Sequence, residues 1–262
     1  MNPNLNEQQM ASGAQCSTLA GMIAVELTKS FDGKLTFHQV QTAITDKEQI
    51  DVKKLAEKFA NEIFGIPIDP DADEKRKISH FYKTCFKDKR WKNPNLDKSA
   101  VPEAEGNLKH PEFIFDEMTE DDAFEAYSEY FGKDKVWKEW NEKLSKIINH
   151  ESVQVRPKGN YFMRHVGGDE PDMLNKSYDD GISLNITFMT PKEGIISAFR
   201  YRFETSNMYD VVGVTRLSAL VRGGYAMFMS RSSDGRFYIC SDGRSYRRPD
   251  YGLRQVKVSN PS

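Results

Sequence analysis

Ile182-Ser183-Leu184-Asn185-Ile186-Thr187-Phe188 places an apolar residue at every second position, the period of a strand with one buried face. Thr190-Pro191-Lys192-Glu193-Gly194 follows and is rich in turn formers, so residues 182–204 read as a β-hairpin. Residues 211–221 are β-branched and apolar, either a buried strand or a short helix, which periodicity alone does not separate. Residues 225–230 and 236–239 flank Arg231-Ser232-Ser233-Asp234-Gly235, whose Asp-Gly pair marks a second hairpin, and Ser241-Asp242-Gly243 supplies a further turn.

Upstream the spacing is helical. Leu19, Met22, Ile23 and Leu27 share one face of residues 16–28, and residues 40–44 repeat that spacing briefly. Val52, Leu55, Phe59 and Ile63 mark another helix ending at Gly65 and the Pro67/Pro70 pair. Ile78, Phe81, Tyr82 and Cys85 mark a further face, and residues 87–110 read as a long loop. Thr119 followed by Asp122 resembles a capping box that introduces Phe124, Tyr127, Tyr130 and Phe131, with Gly132 as the stop. Residues 134–148 read as a last helix, with Val136, Trp140, Leu144, Ile147 and Ile148 on one stripe and Trp137 beside it as core. The expected fold is α+β: an acidic helical domain at residues 1–150, then a basic, antiparallel β-rich domain at residues 151–262.

Charge divides the chain at the same place. Residues 1–151 hold 21 Lys+Arg against 28 Asp+Glu, a balance of −7, whereas residues 152–262 hold 16 against 11, a balance of +5. Twelve of those 16 are Arg, which forks onto phosphate and stacks on bases. A polyanion is the partner this favours. Aromatics at 11% argue against wholesale disorder. The longest apolar run, residues 19–27, carries Glu26 and is far short of the roughly 18 residues a bilayer span needs. The N-terminal residues lack the positive start of a secretory signal. Cys16, Cys85 and Cys240 form neither a disulfide framework nor a zinc pattern, so an intracellular setting is expected.

Phe199-Arg200-Tyr201-Arg202-Phe203, read as a strand, puts three aromatics on one face and two arginines on the other. That is a stacking platform or a phosphate track, set against an ordinary amphipathic strand. Arg244, Tyr246, Arg247, Arg248, Tyr251 and Arg254 are interleaved with Pro249 and Gly252, the composition of a mobile arm that wraps nucleic acid, or of a solvated tail. Arg222-Gly223-Gly224-Tyr225 adds a flexible pair beside a cation and a ring. Residues 222–254 together hold seven Arg against three Asp. The basic run at residues 83–92 reads best as a solvated loop.

Enzyme signals are poor, with no phosphate loop, nucleophile elbow or His-Glu-x-x-His helix. His165 near Asp169 and Glu170, and Asp179-Asp180 beside Gly181, are local clusters that could form a metal or acid/base site, and such clusters in Gly-rich loops are more often turns.

An acidic helical part joined to a β-rich, Arg/aromatic part, carried by residues 199–203 and 222–254, resembles the nucleus-associated RNA-binding proteins of jumbo bacteriophages, whose C-terminal domains are similar to the Whirly class of single-strand binders. The stretch Gly224-Tyr225-Ala226-Met227-Phe228-Met229-Ser230-Arg231, followed by Asp234-Gly235, is also similar to the small sporulation-linked nucleic-acid-binding family of bacteria. Both resemblances imply nucleic-acid binding without catalysis. The expectation is a non-catalytic, cofactor-free and metal-free binder of single-stranded nucleic acid, RNA before DNA, with low sequence selectivity. Its attraction comes from Arg200, Arg202, Arg222, Arg231, Arg236, Arg244, Arg247, Arg248 and Arg254, with stacking by Tyr225, Tyr246 and Tyr251. About five neutralised phosphates imply a log–log salt slope of roughly −3.5. The alternative is an interaction or scaffold module whose basic domain meets an acidic protein, including the acidic part of a second copy.

Overall fold

The computed structural model describes residues 71–96, 100–168 and 170–259. The helical readings at residues 16–28, 40–44 and 52–63 lie outside them. In chain order the elements are α1 (Ala72–Cys85), β1 (His110–Ile114), α2 (Glu120–Phe131), β2 (Val136–Lys138), α3 (Leu144–Ile147), β3 (Ile148–Asn149), β4 (Tyr161–His165), β5 (Met173–Leu174), α4 (Tyr178–Ser183), α5 (Pro191–Thr205), β6 (Val214–Val221), β7 (Ala226–Arg231), β8 (Phe237–Asp242), β9 (Tyr251–Leu253) and β10 (Lys257–Val258). The class is α+β.

Where local chemistry is unambiguous, the elements follow it. α1 buries Ile78, Phe81, Tyr82 and Cys85, the face its spacing marks. α2 begins at a full capping box: the Thr119 hydroxyl accepts from Asp122 N, and the Asp122 carboxylate accepts from Thr119 N at 2.9 Å. The Asp234-Gly235 hairpin joins β7 to β8, with Gly235 at φ +80°. Within residues 211–221, Val214–Val221 resolves as a strand, β6.

The 182–204 hairpin is replaced by two helices. Thr190 caps α5, Pro191 opens its first turn, and Glu193 completes a capping box, so the segment read as a turn is a helix start. Ser206 ends it in the left-handed region at φ 61°. Arg200 and Arg202 therefore sit on a helix and share no strand face. The 182–188 alternation breaks because α4 ends at Ser183 and Asn185 turns at φ 52°, leaving Ile182 and Leu184 exposed while Phe188 is buried. The helix read at residues 134–148 shrinks to α3, whose first amides, Leu144 N and Ser145 N, donate to the buried Asp121 carboxylate at 2.7 and 3.1 Å. Its upstream half is β2, which gives its backbone hydrogen bonds to β8.

Two sheets result. β1, β4 and β10 form an antiparallel sheet in the order β1-β4-β10. The other runs β2-β8-β7-β6-β9-β5, with β3 also on β6. It is mixed and not antiparallel, because β2 runs parallel to β8 and β9 parallel to β6. One of its faces supplies Leu217, Ala219, Met227, Met229, Phe237 and Ile239 to a core with Ile195, Ile196 and Phe199 of α5 and Tyr127 of α2. Gly194 makes the helix–sheet approach possible: a Cβ there would stand 2.8 Å from Leu217 Cδ2 and 2.9 Å from Met229 Sδ.

The boundary expected at residue 150 is not where contacts divide the chain, which is at 70/71. β1 and β2, from before residue 150, are built into sheets with β4 and β8, from after it. The charge asymmetry is folded away in the same manner, through pairs that cross residue 150: Arg164–Asp71 at 2.8 Å, Arg200–Glu74 at 3.0 Å, Arg200–Glu112 at 3.6 Å, Arg222–Glu142 at 3.4 Å and Lys257–Glu105 at 2.9 Å. Residues 71–262 hold 31 Lys+Arg and 30 Asp+Glu, so their unit is nearly neutral. No helix among the described residues is long and apolar enough to cross a membrane.

Candidate functional site

The second face of the large sheet carries a row of rings beside the small cluster in which Tyr178 of α4 and Phe188 pack on Ala226 and Leu253. Cross-strand partners share a face, so the register Arg216↔Phe228, Phe228↔Cys240, Ser230↔Tyr238, Trp137↔Tyr238 and Val214↔Tyr251 collects these side chains on one side. The rings form a continuous row. Trp137 meets Tyr238 at 6.3 Å between centroids, Tyr238 meets Phe228 at 6.1 Å, Phe228 meets Tyr251 at 5.5 Å, and Tyr251 meets Tyr246 at 6.1 Å. The ends are open: Trp137 and Tyr246 are 45% and 49% exposed, while Phe228 and Tyr251 between them are each 6% exposed.

The covering segment is the loop at residues 243–250. It leaves β8 beside the start of β7 and returns at Tyr251, which pairs with the first residue of β6, so it runs back along this face. Arg244 Nε donates to Asp179 Oδ1 at 2.6 Å, and Arg247 forks onto Asp180 at 2.5 and 2.7 Å, tying the loop to the first turn of α4. Asp180 is also the capping-box partner of Ser177, and the Arg247 hydrogen bond leads the causes that hold its carboxyl well below the usual range. Beneath the loop, buried Arg216 pairs with Asp242, donates to Tyr246 O at 2.9 Å, and lies 4.6 Å over the Tyr251 ring. Arg248 stacks on the same ring from outside at 5.3 Å and pairs with Asp250 at 3.2 Å. Desolvation raises the Tyr238 phenol and lifts that of Tyr251 to about 12, so both stay neutral at physiological pH and repel no anion.

Of the twelve expected contact residues, five belong to this region: Arg236, Arg244, Tyr246, Arg247 and Arg248, all exposed. Tyr251 lies in the row but is covered. Four others lie elsewhere on the unit. Arg222 and Tyr225 sit on the β6–β7 turn, at the opposite end of β7 from the Asp234-Gly235 hairpin. Arg231 pairs with Phe237 and so leaves its strand on the core side. Arg202 lies 4.2 Å over Phe131 and 3.4 Å from Tyr127 Oη.

Arg200 and Arg254 are corrections, because both are structural. Arg200 is 5% exposed and bound to Glu204, Glu74 and Pro111 O. Arg254 is fully buried against Asp210, Thr215 and two glycine carbonyls. The mobile arm at residues 244–254 is likewise corrected: its last third is β9, an inner strand of the sheet between β6 and β5. Trp137 and Tyr238 are the residues the sequence reading missed. The signal was present in the alternation Phe237-Tyr238-Ile239-Cys240, which puts Tyr238 opposite two core residues.

The acid/base clusters resolve differently. Asp179 and Asp180 are cap and ion-pair residues. His165 is buried, accepts from Gly167 N at 2.9 Å, and has its pKa held well below the ordinary imidazole value by desolvation. Among the described residues no three His, Cys, Asp or Glu side chains converge in the manner of a metal site. Comparison with known proteins gave no matching family model, no curated relative and no matching solved structure.

Proposed function

We propose that the outer face of the mixed sheet binds single-stranded nucleic acid without catalysis, bases stacking at the two open ends of the ring row and phosphates meeting the arginines beside it. The observation that carries this reading is the row itself, Trp137-Tyr238-Phe228-Tyr251-Tyr246, with Arg236 and Arg248 at its borders. Ring faces accept any base, each stacked base contributing roughly 1–3 kcal/mol, and a cationic border tracks the backbone without reading sequence. Four steps between centroids of 5.5 to 6.3 Å separate the open ends, room for a footprint of about four or five nucleotides at single-strand spacing.

The arginines of this face are already paired with carboxylates, but the pairs of Arg236, Arg244 and Arg248 are exposed and worth only about 0–1 kcal/mol each, so a strand of phosphates displaces these three at little cost. The test is fluorescence anisotropy of labelled 12-nucleotide RNA and DNA with the full chain at about 50 mM salt, where electrostatic binding is strongest. Binding that falls at least tenfold in Trp137→Ala and in Arg248→Glu supports the reading. No binding of either oligonucleotide overturns it, and binding of an acidic peptide in their place would establish the interaction-module alternative.

A further inference from the structure

The corner of the sheet where β2 meets β8 holds a separate small cleft of about 290 Å³, lined by Trp137, Ser232, Arg236 and Tyr238. Its walls are the Trp137 and Tyr238 rings, inclined at 57° to each other. The parallel β2–β8 pairing brings them together by setting Trp137 directly opposite Tyr238. Its rim is the β7–β8 turn. There Ser232 donates to Asp234 and receives Arg236 N at 3.1 Å, so its hydroxyl is used in holding the turn. Arg236 Nε lies 2.7 Å from Asp234 Oδ2, and the arginine side chain is 45% exposed at the rim. The guanidinium is thus positioned while still open to solvent, which is the state a phosphate-binding fork needs.

We infer that this cleft takes one nucleotide, its base wedged against Trp137 and Tyr238 and its phosphate on the Arg236 fork. The inference rests on the nucleic-acid reading of the face and adds to it the place where a single unit is gripped. The chemistry selects the ligand class. Two ring walls demand a flat π-system, and the arginine at the rim excludes the quaternary ammonium groups that aromatic cages otherwise hold. The volume lies just below the roughly 300–1,000 Å³ of small-molecule sites, which suits one small unit. Along the rest of the row Phe228 and Tyr251 are covered, so the corner differs from Tyr246 in offering two ring walls together with a cation.

The experiment titrates the full chain with adenosine 5′-monophosphate, adenosine, ribose 5-phosphate and phenyl phosphate by isothermal calorimetry, on wild type, Trp137→Ala, Arg236→Ala and Arg76→Glu. The expected result is saturable binding of the monophosphate, at least tenfold weaker binding of adenosine and of ribose 5-phosphate, and loss of monophosphate binding in Trp137→Ala and Arg236→Ala. Arg76→Glu, at an exposed position of α1 outside the ring row, leaves monophosphate affinity within twofold. Monophosphate binding no tighter than that of ribose 5-phosphate, or unaffected by Trp137→Ala, overturns the inference, and phenyl phosphate binding as tightly as the monophosphate reassigns the cleft to phosphotyrosyl groups. The two readings fail separately. Oligonucleotide binding without monophosphate binding removes the cleft and leaves the platform, whereas monophosphate binding with no gain for oligonucleotides removes the platform and leaves the cleft.

Discussion

Arg254 Nη2 lies 2.6 Å from Asp210 Oδ1, with both side chains sealed from solvent. The guanidinium also donates to Thr215 Oγ1 at 2.9 Å, to Gly167 O at 2.9 Å and to Gly168 O at 3.0 Å, and lies 4.1 Å over the Tyr209 ring. One arginine thereby ties β9 to β6, to the turn after β4 and to the segment before β6. Its cation serves the fold and is closed to any ligand.

Removing it should therefore cost stability before it costs affinity. Arg254→Ala strands the Asp210 carboxylate, which burial already pushes above its usual range, and the expected loss is about 3–5 kcal/mol in urea unfolding. Arg254→Met with Asp210→Asn leaves no buried charge and should recover most of that loss. Equal losses in the single and double variants would show that packing, and not the ion pair, sets the penalty.

Glu112 gives a pH signature. Desolvation lifts its carboxyl from the ordinary 4.5 to about 7, opposed by Arg200. A carboxyl raised in the folded state contributes stability that is complete below pH 4.5 and lost as pH rises through 7, by up to about 3 kcal/mol. His110 and His165, both lowered by desolvation, act in the opposite direction over an overlapping range, so the wild-type profile alone does not isolate Glu112. The difference between wild type and Glu112→Gln does: it should favour the wild type more at pH 5 than at pH 8, measured by urea unfolding at both. A difference independent of pH would place Glu112 ionised throughout.

These buried groups explain what the sequence could and could not reveal. α1 and α2 were legible because periodicity and punctuation agreed, as in Thr119, Asp122 and Gly132 around Phe124 and Tyr127. α5 carries the same capping chemistry at Thr190 and Glu193, but its helix is buried on most sides, and a helix without a polar face shows no 3.6-residue stripe. Arg200 and Arg254 counted as surface cations because partners that bury them, Glu74 and Asp210, lie 126 and 44 residues away in sequence, and Glu204 meets Arg200 only once the segment is helical. Arg247 and Arg248 were legible as exposed cations, whereas Trp137 joined Tyr238 only through a parallel pairing across 100 residues, which no local pattern records.

Gly194 tests the helical reading of residues 191–205 directly. Alanine in an ordinary helix interior is favoured over glycine by about 1 kcal/mol. Here its Cβ would press on Leu217 and Met229, both fully buried, so Gly194→Ala should instead destabilise by roughly 1–3 kcal/mol. Leu217→Ala in the same chain makes room and should render Gly194→Ala neutral or favourable. A stabilising Gly194→Ala in the wild-type background would mean that α5 stands further from the sheet.

The ion pairs on the ring face set the salt dependence of binding. Among the described residues Arg236, Arg244, Arg247 and Arg248 border the row, so the slope of log affinity against log salt should be roughly −2.8, shallower than the −3.5 that five contacts would give. Arg247→Glu with Arg248→Glu should weaken oligonucleotide binding at least tenfold and bring the slope to about −1.4, with anisotropy titrations at several salt concentrations as the measurement. Both arginines are half exposed or more, so unfolding of this variant should lose at most the Arg247–Asp180 contact at the first turn of α4, the Arg248–Asp250 pair being exposed and weak. Arg200→Met supplies the contrast: it strikes a buried cluster remote from the row, so its folded fraction should keep the full slope. Two slopes that coincide in the charge-reversed and wild-type chains would move the phosphate track off this face.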